Sequence, residues 1–431
     1  MYKLLLPLMF VALLSPSFAA QALASGGDSR PAQISFSQQD TVEPVGVLTL
    51  SAALSLAMGT NADLAGARNE VRAVEASVQQ AGVRPNPSLG LEVQDTRRQT
   101  RETTLLLSTP IELGGKRAAR LRAAERAFDA ANAEFKTKQA EMKAAVISAF
   151  FEVLAAQERM VLAQESVELA QRATNIAAKR VIAGKVSPVE ETKARVAQIS
   201  AGLELINARS ESDTAKKRLS AFWGNLIPHF ERATGDFHNV PEVPALTVLL
   251  ARLSDAPALD RVRIEVDRRQ ALAEVESSRG VPDLMVSLGV KRSEELGRNQ
   301  AIVGVSIPLA FFDNNRGNIL ESLRRTDRAQ DDLTAAETRV GAQLTQAYEK
   351  WDIARQEVYA LQQQVLPGAR SAYDAATTGF EFGKFGFLDV LDAQRTFLQA
   401  KSQYLRSLAE AHRAAAEIDG ILATALPVTP L

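Results

Sequence analysis

The sequence predicts a mainly α-helical fold with a membrane β part: long antiparallel coiled-coil helical hairpins plus two β-hairpins per chain. Three observations carry that prediction. The layout runs twice, displaced by roughly 195 to 200 residues. Pro87-Ser88-Leu89-Gly90-Leu91-Glu92-Val93 returns as Pro282-Asp283-Leu284-Met285-Val286-Ser287-Leu288, and Thr109-Pro110-Ile111 returns as Ile307-Pro308-Leu309. Gly184-Lys185-Val186-Ser187-Pro188-Val189-Glu190 returns as Gly383-Lys384-Phe385-Gly386-Phe387-Leu388-Asp389. Second, Lys116 to Ala183 holds neither Gly nor Pro, so one helix there would run about 100 Å at 1.5 Å per residue, wider than a globular core. Third, at two places the apolar period changes from 3.6 to 2, the alternation of a strand with two unlike faces.

Composition narrows the function class. Aromatic residues are 6% and charged residues 23% of the 431, with both signs mixed along the helical stretches, the profile of long helices packed through small side chains. A net charge of -1 gives no electrostatic footprint for nucleic acid. The absence of cysteine removes thiol catalysis, thiolate metal sites and disulfides. Three histidines, His229, His238 and His412, are too few and too scattered for a histidine-rich metal site, and no cofactor is expected.

Residues 1–24 read as a signal peptide: Lys3, an apolar run from Leu4 to Leu14, then small residues with Ser17-Phe18-Ala19 and Ala22-Leu23-Ala24 as cleavage candidates. That run is too short to span a bilayer comfortably, and no later stretch approaches eighteen uninterrupted apolar residues. An exported chain is expected. Residues 25–48, rich in Gly, Ser, Gln and Pro, are expected to be extended. The first repeat, 49–223, opens with helical spacing from about Leu48 to Gly82, which Pro85-Asn86-Pro87 ends. A β-hairpin at 88–113 with a charged tip, Asp95 to Glu102, follows. A helical hairpin at 116–223 turns at Gly184-Lys185, with Pro188 near the first turn of the return helix, where proline is tolerated. A linker, 224–244, joins the copies. The second repeat, 245–420, holds a helix, a β-hairpin at 283–310 and a helical hairpin at 318–419, interrupted at Pro367-Gly368 and turning at Gly383 to Gly386. A tail covers 421–431.

Strands of about ten residues with one apolar face have the length and alternation of membrane-spanning strands. The same pattern fits a half-buried soluble hairpin packed on helices. If the hairpins cross a bilayer, four strands cannot close a barrel, and an open edge in hydrocarbon leaves backbone groups unsatisfied at several kcal/mol each. Several chains must then pool strands. Three chains give a 12-stranded β-barrel, continued by an α-barrel of six helical hairpins, and the product is a tube.

The doubled layout and the segment Gly383 to Ala393 (Gly-Lys-Phe-Gly-Phe-Leu-Asp-Val-Leu-Asp-Ala) make the chain resemble the TolC family of outer-membrane efflux channels over essentially its whole mature length. Pro110-Ile111-Glu112-Leu113-Gly114-Gly115-Lys116-Arg117 resembles the family's CzcC-type (cobalt-zinc-cadmium) components of cation-exporting tripartite pumps. So does Ile307-Pro308-Leu309 followed by Phe312-Asp313-Asn314-Asn315-Arg316-Gly317. The resemblance implies a homotrimer in the outer membrane with a periplasmic helical extension. It implies a passive exit duct, docked by a periplasmic adaptor (membrane fusion) protein onto an inner-membrane RND pump. Divalent heavy-metal cations are the implied cargo, with drugs or organic compounds as the alternative. It also implies that Asp389 and Asp392 line the periplasmic aperture, with Glu190 as the first-copy equivalent, and that Gly184, Lys185, Gly383 and Lys384 form adaptor-docking tips. Three copies of each acid would make rings that favour cations. Asp389 can also support the start of its own helix, and Glu190, with Glu191 beside it, reads first as a solvated helix start with a minor pore role; these roles stay open here.

Two departures accompany the resemblance. Many relatives begin with a lipidated cysteine, which this chain lacks, and Phe380 stands where some members use a tyrosine hydroxyl to hold the aperture closed. Rival readings fit less of the chain. A periplasmic adaptor normally has one hairpin flanked by β-rich domains, and a structural coiled coil leaves the Pro-bounded hairpins unexplained. No enzyme is expected: with no Gly-rich phosphate loop, the Asp/Glu/Arg pairs read as helix-surface charge.

Overall fold

The computed structural model describes residues 43–423; the signal peptide, most of the extended segment and the end of the tail lie outside them. Along the chain run β1 (Val47–Leu48), α1 (Leu50–Thr60), α2 (Ala62–Ala81), β2 (Ser88–Gln94), β3 (Glu102–Ile111), α3 (Lys116–Ile182), α4 (Pro188–Ala221), β4 (Arg232–Ala233), α5 (Leu246–Ala251), α6 (Pro257–Arg279), β5 (Leu284–Ser293), β6 (Arg298–Ser306), α7 (Arg316–Ala360), α8 (Leu366–Glu381) and α9 (Phe387–Leu422).

Local chemistry sets the boundaries. The helical pattern from Leu48 to Gly82 divides in two because Asn61 caps α2, its side chain accepting from Asp63 N (2.9 Å) and Leu64 N (3.1 Å). Pro367 does not stop the second hairpin's descending arm. A π-helical stretch, Leu361–Val365, lies just before it and widens the turn whose Gln363 carbonyl the proline ring would otherwise strike. The interruption read at Pro367-Gly368 is therefore a π-bulge in a continuous helix.

The 67-residue α3 is the spine. Its buried alanines Ala163, Ala170 and Ala177 recur every seven residues, as do Ala194, Ala201, Ala208 and Ala215 on α4. A seven-residue repeat keeps one seam facing a partner helix, and methyl side chains let the axes approach closely. Midway, Val146, Phe150, Val153 and Leu154 of α3 form the main core with Leu56 of α1, Leu219 of α4, Phe230 and Phe237 of the linker, and Leu405 and Leu408 of α9. The linker is thus packed, not loose. β4 pairs in parallel with β1, and the buried Glu43 carboxylate accepts from Trp223 Nε1 (3.1 Å), Asn225 Nδ2 (2.5 Å) and His229 N (2.9 Å). Burial opposes ionisation there, but these donors outweigh it and hold the carboxyl below its ordinary range.

The two β-hairpins join in one antiparallel sheet of order β2-β3-β5-β6. Toward the tips the helices take the order α4-α3-α9-α8, since α3 packs on α4 and on α9, and α9 packs on α8. Sheet and helices meet at Pro110 to Arg117. Gly114 takes φ +68°, where a Cβ would lie 2.7 Å from Val281 Cβ. Lys116 Nζ then reaches Asp283 at 2.7 Å, and the Arg120 guanidinium pairs with Glu112.

Candidate functional site

The helical tips are built twice in the same way. Gly184, φ +67°, ends α3: its N–H donates to Val181 O (2.9 Å) and Lys185 N–H to Arg180 O (2.9 Å). Gly383, φ +72°, ends α8: its N–H donates to Phe380 O (3.0 Å) and Lys384 N–H to Gly379 O (2.8 Å). Each Gly-Lys pair closes a Schellman-type turn that requires a left-handed residue, and all four residues are exposed.

The acids sit just past these turns. Asp389 Oδ2 accepts the Gly386 N–H at 2.8 Å, so this carboxylate caps its own helix. Asp392 lies three residues on and shares its face. Both are exposed, and neither forms an ion pair among the described residues. Glu190 occupies the first turn of α4, half-buried, with Oε2 buried and without a hydrogen-bond partner, whereas Glu191 pairs with Arg195 at 2.6 Å. No bond joins Glu190 to either aspartate within the described chain.

Arg180 is a residue that sequence reading missed. Its guanidinium carbon lies 3.9 Å from the Phe380 ring centroid and its Nη2 donates to the Phe380 carbonyl. Phe380 is buried in a small core with Ala177, Ala194, Ala376 and Val390. The position that lacks a hydroxyl is therefore held by a cation–π contact and a charged hydrogen bond that tie the first hairpin to the second. Such a contact contributes about 0.5–2 kcal/mol. In the sequence, a basic residue in a helix's last turn signals only dipole complementarity.

His412 and His238 pack against aromatic rings of the fold. His412 stacks on Phe151 (3.8 Å between centroids) and its Nε2 bonds Phe237 O at 2.9 Å, while Nδ1 is buried without a partner. Burial, only partly offset by that bond and by Asp236, lowers its pKa to about 4. His238 stacks on Tyr404, and His229 is exposed beside Glu43. No group of three or more His, Asp or Glu able to hold a metal ion occurs among the described residues.

The sheet sorts its side chains between an apolar and a more polar face, with Leu106, Met285 and Ile302 the large apolar residues on the more polar one. Registered rows place Leu89, Leu107, Leu288 and Val303 across one face, with Leu91, Leu105, Val290 and Ala301 beside them. The opposite face carries Ser88, Ser108, Ser287 and Gly304 in one row and Glu92, Thr104, Lys291 and Gln300 in another; there Lys291 also pairs with Glu102 at 2.6 Å. The apolar face is bare: Leu89 is 70% and Val303 75% exposed. Among the described residues, no strand covers the outer edge of β2 or of β6. The flanking helix α4 shows the same lack of a partner, with Val189, Val196, Ile199, Leu203 and Ile206 exposed at coiled-coil spacing.

Comparison with known proteins gives a consistent result. The family model "Outer membrane efflux protein" matches residues 53–225 and 250–424, one match per repeat. The cobalt-zinc-cadmium resistance protein CzcC of Cupriavidus metallidurans is 46% identical, over 98% of this chain and 100% of that protein. Among solved structures, CusC superposes with a TM-score of 0.74 at 16% identity, covering 86% of this chain and 91% of that one. The CmeC outer membrane channel of Campylobacter jejuni also gives 0.74 at 16% identity, covering 91% and 88%.

Proposed function

From the premise that this chain belongs to the outer membrane efflux protein family, we propose that it is the exit duct of a tripartite efflux system and conducts divalent heavy-metal cations passively to the exterior. One observation carries the duct: a four-stranded sheet with an apolar face, a polar face and two unpaired edges. In hydrocarbon each unpaired edge group costs several kcal/mol, and β2 and β6 are 7 and 9 residues long with about half their peptide groups directed outward. Edge-to-edge joining of three copies removes that cost, turns the apolar face to lipid and encloses the polar face as a lumen. The helix order supports the same closure, because α4 of one copy and α8 of the next would meet and cover the exposed α4 seam. The trimer is thus the unit of function, and a periplasmic adaptor and an inner-membrane RND pump are its partners.

The cargo reading rests on the 46% identity to a protein named for cobalt, zinc and cadmium resistance. Transit needs no binding site, so the duct works without ligand clusters and without catalysis. At the periplasmic end Asp389 and Asp392, on three copies, supply acidic rings that favour cations; Glu190 adds to them from α4. The exposed Gly-Lys turns at 184–185 and 383–384 present the surface for the adaptor.

Growth of a deletion strain on zinc, cobalt and cadmium, with and without the restored gene, tests the proposal. Restored metal tolerance is expected. Unchanged tolerance with a changed response to organic compounds would overturn the metal cargo while leaving the duct in place.

A further inference from the structure

The lipid-facing side of the strands is shorter than the membrane it enters. Its apolar rows run from Leu284 to Val290 on β5, and the next row, Val93-Thr103-Arg292-Asn299, is largely polar. Six residue steps cover about 20 Å along a strand, or about 14 Å of height at a 45° tilt. Outer-membrane barrels present an apolar band about 25 Å tall. Roughly 10 Å is missing.

The segment after β6 holds the missing surface. Val303 and Val305 are followed at the same alternation by Ile307, Leu309 and Phe311, while Gly304, Ser306, Pro308 and Ala310 intervene. Leu309 is 69% exposed, Phe311 79% and Phe312 104%. Phe311 N–H donates to Leu309 O at 2.9 Å, a tight turn at the foot of the sheet. Immediately beyond, Asn315 Nδ2 donates to Glu276 O of α6 at 2.7 Å, so the segment is pinned to the helical body while its aromatic side chains stay bare. Two phenylalanines left this exposed are costly in water. Phe311 continues the alternation of the lipid-facing side at its periplasmic end, Phe312 follows it directly, and hydrocarbon removes that cost.

We propose that Leu309, Phe311 and Phe312 lie among the acyl chains of the periplasmic leaflet of the outer membrane and set the depth at which the barrel rests. The inference builds on the barrel reading and is separable from it. Hydrophobic mismatch costs fractions of a kcal/mol per ångström, so extending the short band fixes the vertical position of the duct relative to the helices below.

The cysteine-free sequence makes single-site spin labelling direct. Phe312→Cys, Val303→Cys as the strand reference and Leu226→Cys as the aqueous reference would each be labelled in the full-length protein in phospholipid vesicles. Collision with oxygen and with a water-soluble nickel chelate would then be read. The Phe312→Cys label is expected to lose nickel collisions to the level of Val303→Cys and to keep oxygen collisions. Nickel access at 312 with lipid exposure at 303 overturns this inference alone. Nickel access at both positions overturns the barrel as well. Shielding of 312 from both reagents means that another copy covers the aromatics, which also overturns the lipid assignment.

Discussion

Val303 and Ile302 are neighbours on β6 with opposite fates in the proposed barrel. Val303 stands in the row Leu89-Leu107-Leu288-Val303 on the apolar face, and Ile302 in the row Gly90-Leu106-Gly289-Ile302 on the polar face. An arginine facing lipid near the bilayer midplane costs about 2–4 kcal/mol, hence about 6–12 kcal/mol over three copies. At 1.4 kcal/mol per tenfold, even one copy's share lowers the folded, inserted population on the order of 30-fold or more. If the sheet instead rested in water, Val303 is already 75% exposed, and the same substitution would fall within about 0.5 kcal/mol of neutral. The two environments thus differ by more than the error of a urea titration in vesicles. Val303→Arg is expected to lower the unfolding midpoint and deplete trimer from outer membranes, and Ile302→Arg to do so far less. Equal effects, both within about 0.5 kcal/mol, would refute the two-faced membrane sheet.

Two further expectations follow from single side chains. Asp389→Asn keeps an acceptor for the Gly386 N–H but removes the charge, so Asp389→Asn with Asp392→Asn is expected to reduce cation selectivity in planar bilayers with trimer yield unchanged; identical currents would remove the acidic-ring assignment. His412 is held neutral, with its pKa lowered from 6.5 to about 4. Its contribution is therefore complete above pH 6.5 and is lost as pH falls toward 4, on the order of 3 kcal/mol at 1.36 kcal/mol per unit. His412→Phe, which keeps the stack on Phe151, is expected to flatten the melting temperature between pH 6.5 and 4.5, and an undiminished pH slope would contradict this.

What the sequence disclosed and what it hid divide along a physical line. Pro85, Pro87 and Pro282, the Gly/Pro-free run from Lys116 and the period-2 strands are signals written in consecutive residues, and the strands and long helices follow them. The doubled Gly-Lys turns were legible for the same reason: a left-handed residue leaves a local mark. Features that depend on distant partners were not legible. Nothing near Glu43 announces donors at Trp223, Asn225 and His229, and nothing near Leu105 announces Val290 as its neighbour across the β3–β5 seam. Arg180 looked like helix-end charge until Phe380 came to lie under it. At Asp389 the capping role is visible in the fold, while the proposed pore role requires two more chains.

The incomplete surfaces occur at matching places on two levels, which is the strongest argument that they are one design. The sheet ends in bare edges at β2 and β6, and the helical order ends in α4 and α8. β2 belongs to the hairpin that feeds α3 and α4, and β6 to the strand that feeds α7 and α8, so the first repeat supplies one flank at both heights and the second repeat supplies the other. A copy placed to join β6 to β2 of its neighbour therefore also brings its α8 toward the neighbour's α4. Duplication explains why the two flanks are alike in construction. Divergence, with large apolar residues at Val196, Ile199 and Leu203 against small ones at Gly368, Ala372 and Ala375, explains how unlike flanks can fit. A chain whose two halves had stayed identical would present like surfaces at that seam, and side-chain bulk would then meet bulk.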